Sequence, residues 1–216
     1  SVYALRWKGL DSAGNPVGYL NATGQVSGQN TENYSAILNS PDLTNLIYKG
    51  PMTPAFFGGW RNNFSWREWS LSINILYKMG YVFRRPSINY LALFNGTSPG
   101  NKDFDRRWQH PGDELHTSVP SLPVPNVTAN QPRDAFYQNS EVLIEKGDLI
   151  RLQDIQLTYD ITKAPHPQLP LQSIRLYLYA NNLGIIWKAN RAGIDPDFIS
   201  TFPNPRTLAI GIRAGF

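Results

Sequence analysis

A chain of 216 residues is long enough for one large domain, and its lack of cysteine excludes disulfides, thiol catalysis and cysteine-held metals. The net charge of +4 is mild, and Lys and Arg are scattered, with Arg84–Arg85 and Arg106–Arg107 the adjacent pairs, so no nucleic-acid partner is expected. No run of 18 apolar residues offers a transmembrane helix, and the opening SVYALRWKGL lacks a signal-peptide core, as in a chain processed or cut from something longer.

Proline cannot donate to a sheet ladder, so proline-free stretches mark strand candidates. The 17 prolines avoid, or only begin, the segments 1–8, 54–66, 69–81, 149–160, 173–187 and 206–216. Each suits a tilted strand crossing a bilayer, which takes roughly 9–11 residues. In 54–66, Phe56, Trp60, Phe64 and Trp66 share one face, with Phe57, Arg61, Asn63 and Ser65 opposite. Segment 69–81 sets Trp69, Leu71, Ile73, Ile75, Tyr77, Met79 and Tyr81 against Ser70, Ser72, Asn74, Lys78 and Gly80, with Leu76 out of pattern. Segment 149–160 changes phase between Leu152 and Ile155, which predicts a bulge near Asp154. Segment 173–187 places Ile174, Leu176, Leu178 and Ala180 opposite Arg175, Tyr177, Tyr179 and Asn181. The last segment has Leu208, Ile210, Ile212, Ala214 and Phe216 on one face, with Thr207, Ala209, Gly211, Arg213 and Gly215 on the other.

Links between the segments alternate in length. Arg67 and Glu68 alone join two of them, and 161–172 is a short proline-rich link, whereas 9–53, 82–148 and 188–205 are long. Short turns at one end and long loops at the other are the pattern of an outer-membrane barrel. A short helix is predicted within SPDLTNLIYKG, with Ser40 as N-cap, Pro41 at the first position and Gly50 past the end. Trp66 and Trp69 flank the tight turn, with Trp7 and Trp187 at opposite strand ends, as membrane-interface aromatics would be. The fold class is therefore all-β: an antiparallel transmembrane barrel segment of about six strands with long extracellular loops. Six strands cannot close a transmembrane barrel, so further strands must come from elsewhere. A terminal Phe216 after Ile210 and Ile212 resembles the signal read by barrel-insertion machinery.

Several stretches taken in order resemble the end of the SusC/RagA family of TonB-dependent outer-membrane transporters: SVYALRWKGLDSAGNPVGYLNATGQ, GPMTPAFFGGWRNNFSWREWSLSINILYKMGY, RRWQHPGDE, GDLIRLQDIQLTYDI, RLYLYANNLGIIWKANRAGIDPDF and FPNPRTLAIGIRAGF. Asp154 and Asp197 stand where that family usually has Asn and Glu. The resemblance spans residues 1–216 and implies the final strands of a barrel of roughly 22, with a plugged lumen. It implies an importer of oligosaccharides or peptides in the outer membrane of a Gram-negative, Bacteroidota-like bacterium. Its partners would be the remaining strands and plug domain, outer-membrane lipid, a SusD-like surface lipoprotein, and TonB acting through a plug region outside this chain.

Neither a catalytic nor a metal-binding constellation is apparent. His110, His116 and His166 sit among prolines and glycines without helical spacing, so no enzyme activity, metal or cofactor is expected. The acids of GIDPDF and GNKDFD read as solvated turn acids before calcium ligands. Arg6, Lys8, Arg61, Lys78, Arg151, Arg175 and Arg213 fall opposite the apolar faces with Asp154 as the opposing acid, which predicts a cationic inner wall. That wall is neutralised by plug carboxylates or attracts acidic solutes. Arg61 and Arg175 are its candidate solute contacts. The 82–148 stretch carries clustered aromatics and arginines, of which Arg107 and Trp108 are the candidate lid or ligand contacts. Two other readings compete: a soluble β-sandwich binding carbohydrate through its aromatics, and a non-transporting structural or assembly subunit of barrel fold.

Overall fold

The computed structural model describes residues 1–20, 30–41, 43–98, 100–125, 130–162, 171–199 and 201–216. In chain order the strands are β1 (Val2–Leu5), β2 (Trp7–Leu10), β3 (Pro16–Tyr19), β4 (Asn30–Thr31), β5 (Leu46–Gly50), β6 (Phe56–Trp66), β7 (Trp69–Met79), β8 (Val82–Arg84), β9 (Ile144–Lys146), β10 (Leu149–Thr162), β11 (Ser173–Lys188) and β12 (Thr207–Gly215). The helices are α1 (Tyr34–Leu38), α2 (Tyr90–Phe94) and α3 (Asn130–Asn139). The chain divides into two units, Ser1–Thr53 with Val82–Glu145, and Pro54–Tyr81 with Lys146–Phe216.

The second unit is one antiparallel sheet in the order β12-β11-β10-β7-β6. Trp66 pairs with Trp69 across the two-residue turn, where Arg67 takes a left-handed φ of 55°. That pairing sets the register for every row behind it, because a one-residue slip would reverse both faces. One face reads Trp66–Trp69–Tyr159–Leu176–Ile212, then Phe64–Leu71–Leu157–Leu178–Ile210, then Asn62–Ile73–Ile155–Ala180–Leu208 across the five strands. The other reads Arg61–Asn74–Asp154–Asn181–Thr207, then Asn63–Ser72–Gln156–Tyr179–Ala209, then Ser65–Ser70–Thr158–Tyr177–Gly211.

The expected bulge is present. Pairing of β10 with both neighbours shifts between Leu152 and Asp154. Opposite it, Asn182 (φ 56°) and Gly184 (φ 123°) take left-handed conformations. The extra residue, Gln153, lets Ile150 and Leu152 share a face with Ile155, Leu157 and Tyr159. Without it, half of this strand would present its apolar residues to the polar side.

The apolar face is not buried. Phe56, Trp60, Phe64, Leu178 and Leu208 are all exposed, Ile212 is 72% and Ile210 84% exposed, and Phe216 just past β12 is more so. The outer edges of β6 and β12 have no strand partner among the described residues.

The first unit has a core of its own. Ile88, Tyr90, Val119, Tyr137 and Leu143 form one cluster, and Leu5, Tyr34, Ile37 and Phe136 a second. Helix α3 supplies Phe136 to one and Tyr137 to the other, and Trp7 packs against both. Buried tyrosine hydroxyls find acceptors: Tyr34 donates to the Pro16 carbonyl (2.9 Å) and Tyr90 to that of Pro120 (2.6 Å). Asn89 caps α2 by accepting from the Ala92 amide (2.9 Å), and the Asp134 carboxylate accepts from the Leu91 amide (2.7 Å). Two orphan donors of that helix start are thereby satisfied.

Two sequence expectations are corrected here. Segment 1–8 does not join the long sheet. It splits into β1, paired with β5, and β2, paired with β3, because Arg6 donates its amide to the Asn45 carbonyl (3.1 Å) between them. The long sheet therefore has five strands of the six expected. The helix expected in 40–50 is a 3-10 turn at Leu43–Asn45 followed by β5. The β-branched and aromatic residues of LIYKG favour strand pairing with β1.

Candidate functional site

The polar face of the long sheet gathers most of the charged side chains singled out from the sequence. At the bulge, the buried Asp154 carboxylate accepts from Asn74 Nδ2 (2.8 Å) and lies 3.4 Å from Arg61 Nη2. Along this face, Arg175 makes a two-point contact with Asp160, Nε to Oδ1 at 2.5 Å and Nη2 to Oδ2 at 3.0 Å. Toward the opposite end, Arg151 Nη2 donates to both Asp195 oxygens (2.8 and 2.7 Å) and to Asp197 (3.2 Å). Lys78 reaches Asp197 at 2.6 Å. The Arg151 guanidinium lies 5.6 Å from the centre of the Phe198 ring. A hollow of about 470 Å³ opens here, lined by Lys78, Arg151, Asn182, Phe198 and Arg206 among others.

These contacts correct the expectation of a cationic wall. Asp154 is not alone in opposing the arginines: Asp160 lies across from Arg175 on the neighbouring strand, and the GIDPDF loop folds its two acids back onto Arg151 and Lys78. The acids of that motif are thus spent on ion pairs. Asp103 of GNKDFD is likewise buried between Arg85 and Ser87. Among the described residues, no group of three or more His, Asp or Glu could hold a metal ion. Arg213, directly opposite Arg175, has no ion-pair partner among the described residues.

The aromatic residues divide. Trp66 and Trp69 stand at one end of the apolar face and Trp187, in the Tyr77–Ile150–Trp187 row, toward the other. Trp7 does not share that face. Its ring stacks on Phe136 (6.1 Å, 18°) and tilts against Tyr137 (5.8 Å), because β2 belongs to the first unit.

Arg107 and Trp108 of the first unit hold their own loop. Arg107 lies 4.0 Å above the Phe104 ring and donates to the Phe104 carbonyl at 2.8 Å. The Trp108 indole donates to Glu114 (3.0 Å), and its ring rests on Gly14, where an added Cβ would come within 2.5 Å of it. Glu114 also accepts from the Gly112 amide, and these bonds hold its carboxyl below the ordinary range.

Sequence reading missed a carboxyl pair in this unit. Asp11 closes the turn before β3, accepting from the Ala13 and Asn15 amides at 2.9 and 2.7 Å. Glu32 hydrogen-bonds to Asp11, which raises the Glu32 pKa to about 7, with Arg133 opposing that rise. Arg133 itself is buried and donates to the carbonyls of Gly14 (3.2 Å) and Ser121 (3.0 Å). The pair joins residues distant in sequence and outside any motif, so no pattern announces it.

Over its whole length the chain is similar to the RagAB peptide importer. It matches the 'open-open' state with TM-score 0.70 at 24% identity, covering 100% of this chain and 22% of that one. It matches the 'closed-closed' state with TM-score 0.68 at 24% identity, covering 100% of this chain and 23% of that one. A further structure of the RagAB peptide transporter matches with TM-score 0.68 over 99% of this chain and 22% of that one. The chain thus spans less than a quarter of the length of the proteins it matches. No protein-family model matches it, and neither does any curated protein. At this identity the likeness establishes the fold, and it agrees with the resemblance carried by the sequence motifs.

Proposed function

We propose that this chain is the C-terminal barrel portion of a SusC/RagA-family, TonB-dependent importer of the bacterial outer membrane. The observation that carries the reading is the apolar face of the five-stranded sheet, which is exposed along β6 and β12 and no more than half-buried between them, with polar rows behind it. In water such a patch would drive aggregation. Against hydrocarbon it is at its lowest free energy, with the polar face turned to a hydrated lumen. The free edges of β6 and β12 are where the remaining strands would pair.

The imported solute in this reading is a peptide or an oligosaccharide, and a SusD-like lipoprotein is the lid. The name of the structural neighbours, a peptide importer, favours peptides. Arg61 and Arg175 contact solute from the polar face, while Arg107 and Trp108 serve the lid by bracing the loop that meets it. A sandwich needs a second layer over the apolar face, and the exposure of Trp60, Phe64, Ile210 and Ile212 argues against that alternative.

The test uses the full-length protein that contains this segment. Membrane fractionation is expected to place it in the outer membrane as a heat-modifiable band. Uptake of labelled peptides should need the plug and fall to background on its deletion. Recovery as a soluble monomer without detergent would overturn the reading, and unchanged uptake without the plug would overturn the TonB-dependent mechanism.

A further inference from the structure

The hairpin joining β6 to β7 carries an arrangement that solute transport does not require. Arg67, at the tip with φ 55°, turns its guanidinium back to lie 5.1 Å from the centre of the Trp66 ring. Trp66 belongs to the apolar face, and the same row continues through Trp69 to Tyr159, whose rings are 4.7 Å apart. Among the described residues Arg67 has no carboxylate within ion-pairing distance, whereas Arg61, Arg151 and Arg175 do. Glu68 beside it makes no ion pair with it, and Asp160, whose amide donates to the Glu68 carbonyl, is committed to Arg175 on the opposite face. The outcome is an unpaired cation set on an aromatic edge at the end of an exposed apolar surface.

We infer that Arg67, with the edge formed by Trp66, Trp69 and Tyr159, binds the headgroup of an anionic phospholipid. The inference rests on the membrane reading of the sheet. Three features favour this occupant. The rows behind the site, apolar except for Asn62 on β6, suit acyl chains. The indole and phenol groups suit the headgroup level, with apolar bodies and polar tips. The guanidinium lacks an anion, and a phosphate diester matches its planar donors. A soluble anion would satisfy the cation but leave the aromatic edge and the apolar rows uncovered.

The experiment places the full-length protein in nanodiscs of phosphatidylglycerol and phosphatidylcholine in equal parts, then counts co-purifying lipids by native mass spectrometry. The wild type is expected to retain phosphatidylglycerol in preference. Arg67→Glu should lower that preference at least about fivefold, the effect of removing one basic residue at an anionic surface, and Arg67→Lys should keep most of it. Equal retention by wild type and Arg67→Glu overturns the inference. Should Arg67→Glu fail to insert, salt decides on the wild type: the preference must fall between about 0.05 and about 0.5 M, and a preference that salt leaves unchanged overturns the site. A wild type that never enters the nanodisc overturns the membrane reading along with this inference. One that enters without lipid preference overturns this inference alone.

Discussion

Asp154 accepts a hydrogen bond from Asn74 at 2.8 Å across the strand pair β10–β7, where the pairing of β10 shifts against both neighbours. The bulge turns this carboxylate onto the polar face, where Arg61 also meets it. The side chain is buried, so the partners it holds cannot be replaced freely by water. Asp154→Ala is expected to lower the stability of the folded full-length protein by about 1–3 kcal/mol, the cost of leaving buried polar partners unpaired. Asp154→Asn, the residue usual at this place in the family that the sequence resembles, should cost less. Urea unfolding followed by the shift of the heat-modifiable band measures both.

Pairing within the sheet sets an expectation for solute charge. Arg175 faces a carboxylate on the neighbouring strand and Arg61 one two strands away, so little uncompensated field remains at either. Arg61→Ala and Arg175→Ala should therefore change uptake of acidic and neutral oligomers alike, within about twofold, the size expected of an exposed ion pair. A selective loss of acidic solute would show that steering operates after all.

Trp7 gives a test that separates packing from membrane contact. Its ring joins Phe136 and Tyr137 in the first unit. Trp7→Ala should destabilise that unit by about 3 kcal/mol, in the range of large-to-small core substitutions. Limited proteolysis would detect this as faster cleavage within 82–145. Lipid composition should not alter the effect, whereas it should alter that of Trp69→Ala.

Gly14 takes φ 77° and lies beneath the Trp108 ring. Gly14→Ala faces both a strained backbone and an added Cβ within 2.5 Å of that ring. A loss of about 1–3 kcal/mol is expected, read from the same proteolysis assay. Trp108→Ala in the same chain should recover part of it, because the clash disappears while the backbone strain remains.

The Asp11–Glu32 pair makes the first unit sensitive to pH. Glu32 has its pKa raised from 4.5 to about 7 in the folded chain. Its protonated form is the one folding favours, so this contribution is full below pH 4.5 and is lost as pH rises through about 7. Asp11, whose pKa is lowered, runs the opposite way and loses its contribution as pH falls through its folded value. Glu32→Gln keeps a donor for Asp11 without titrating. It should flatten the pH dependence of amide exchange in α1 between about pH 5 and pH 8, the span bracketing the shifted carboxyl.

Alternation is a local property, and it was readable residue by residue. Five of the long strands, the two-residue turn and the bulge at Asp154 all follow from side chains that point to opposite sides in succession. An alternating strand needs no long-range partner to mark its apolar face, so Ile73, Leu176 and Ile212 announce theirs. The fate of 1–8 depended instead on residues far along the chain. Val2–Leu5 pairs with Leu46–Gly50, and Trp7 is claimed by α3, contacts whose sequence separation no local pattern encodes. The ion pairs were hidden for the same reason. Whether Arg175 is a free cation or is held by Asp160 depends on register, and whether Arg151 is free depends on a loop folding back over the sheet to place Asp195 beside it. Coulomb energy falls with distance between groups in space, and only the folded chain sets that distance.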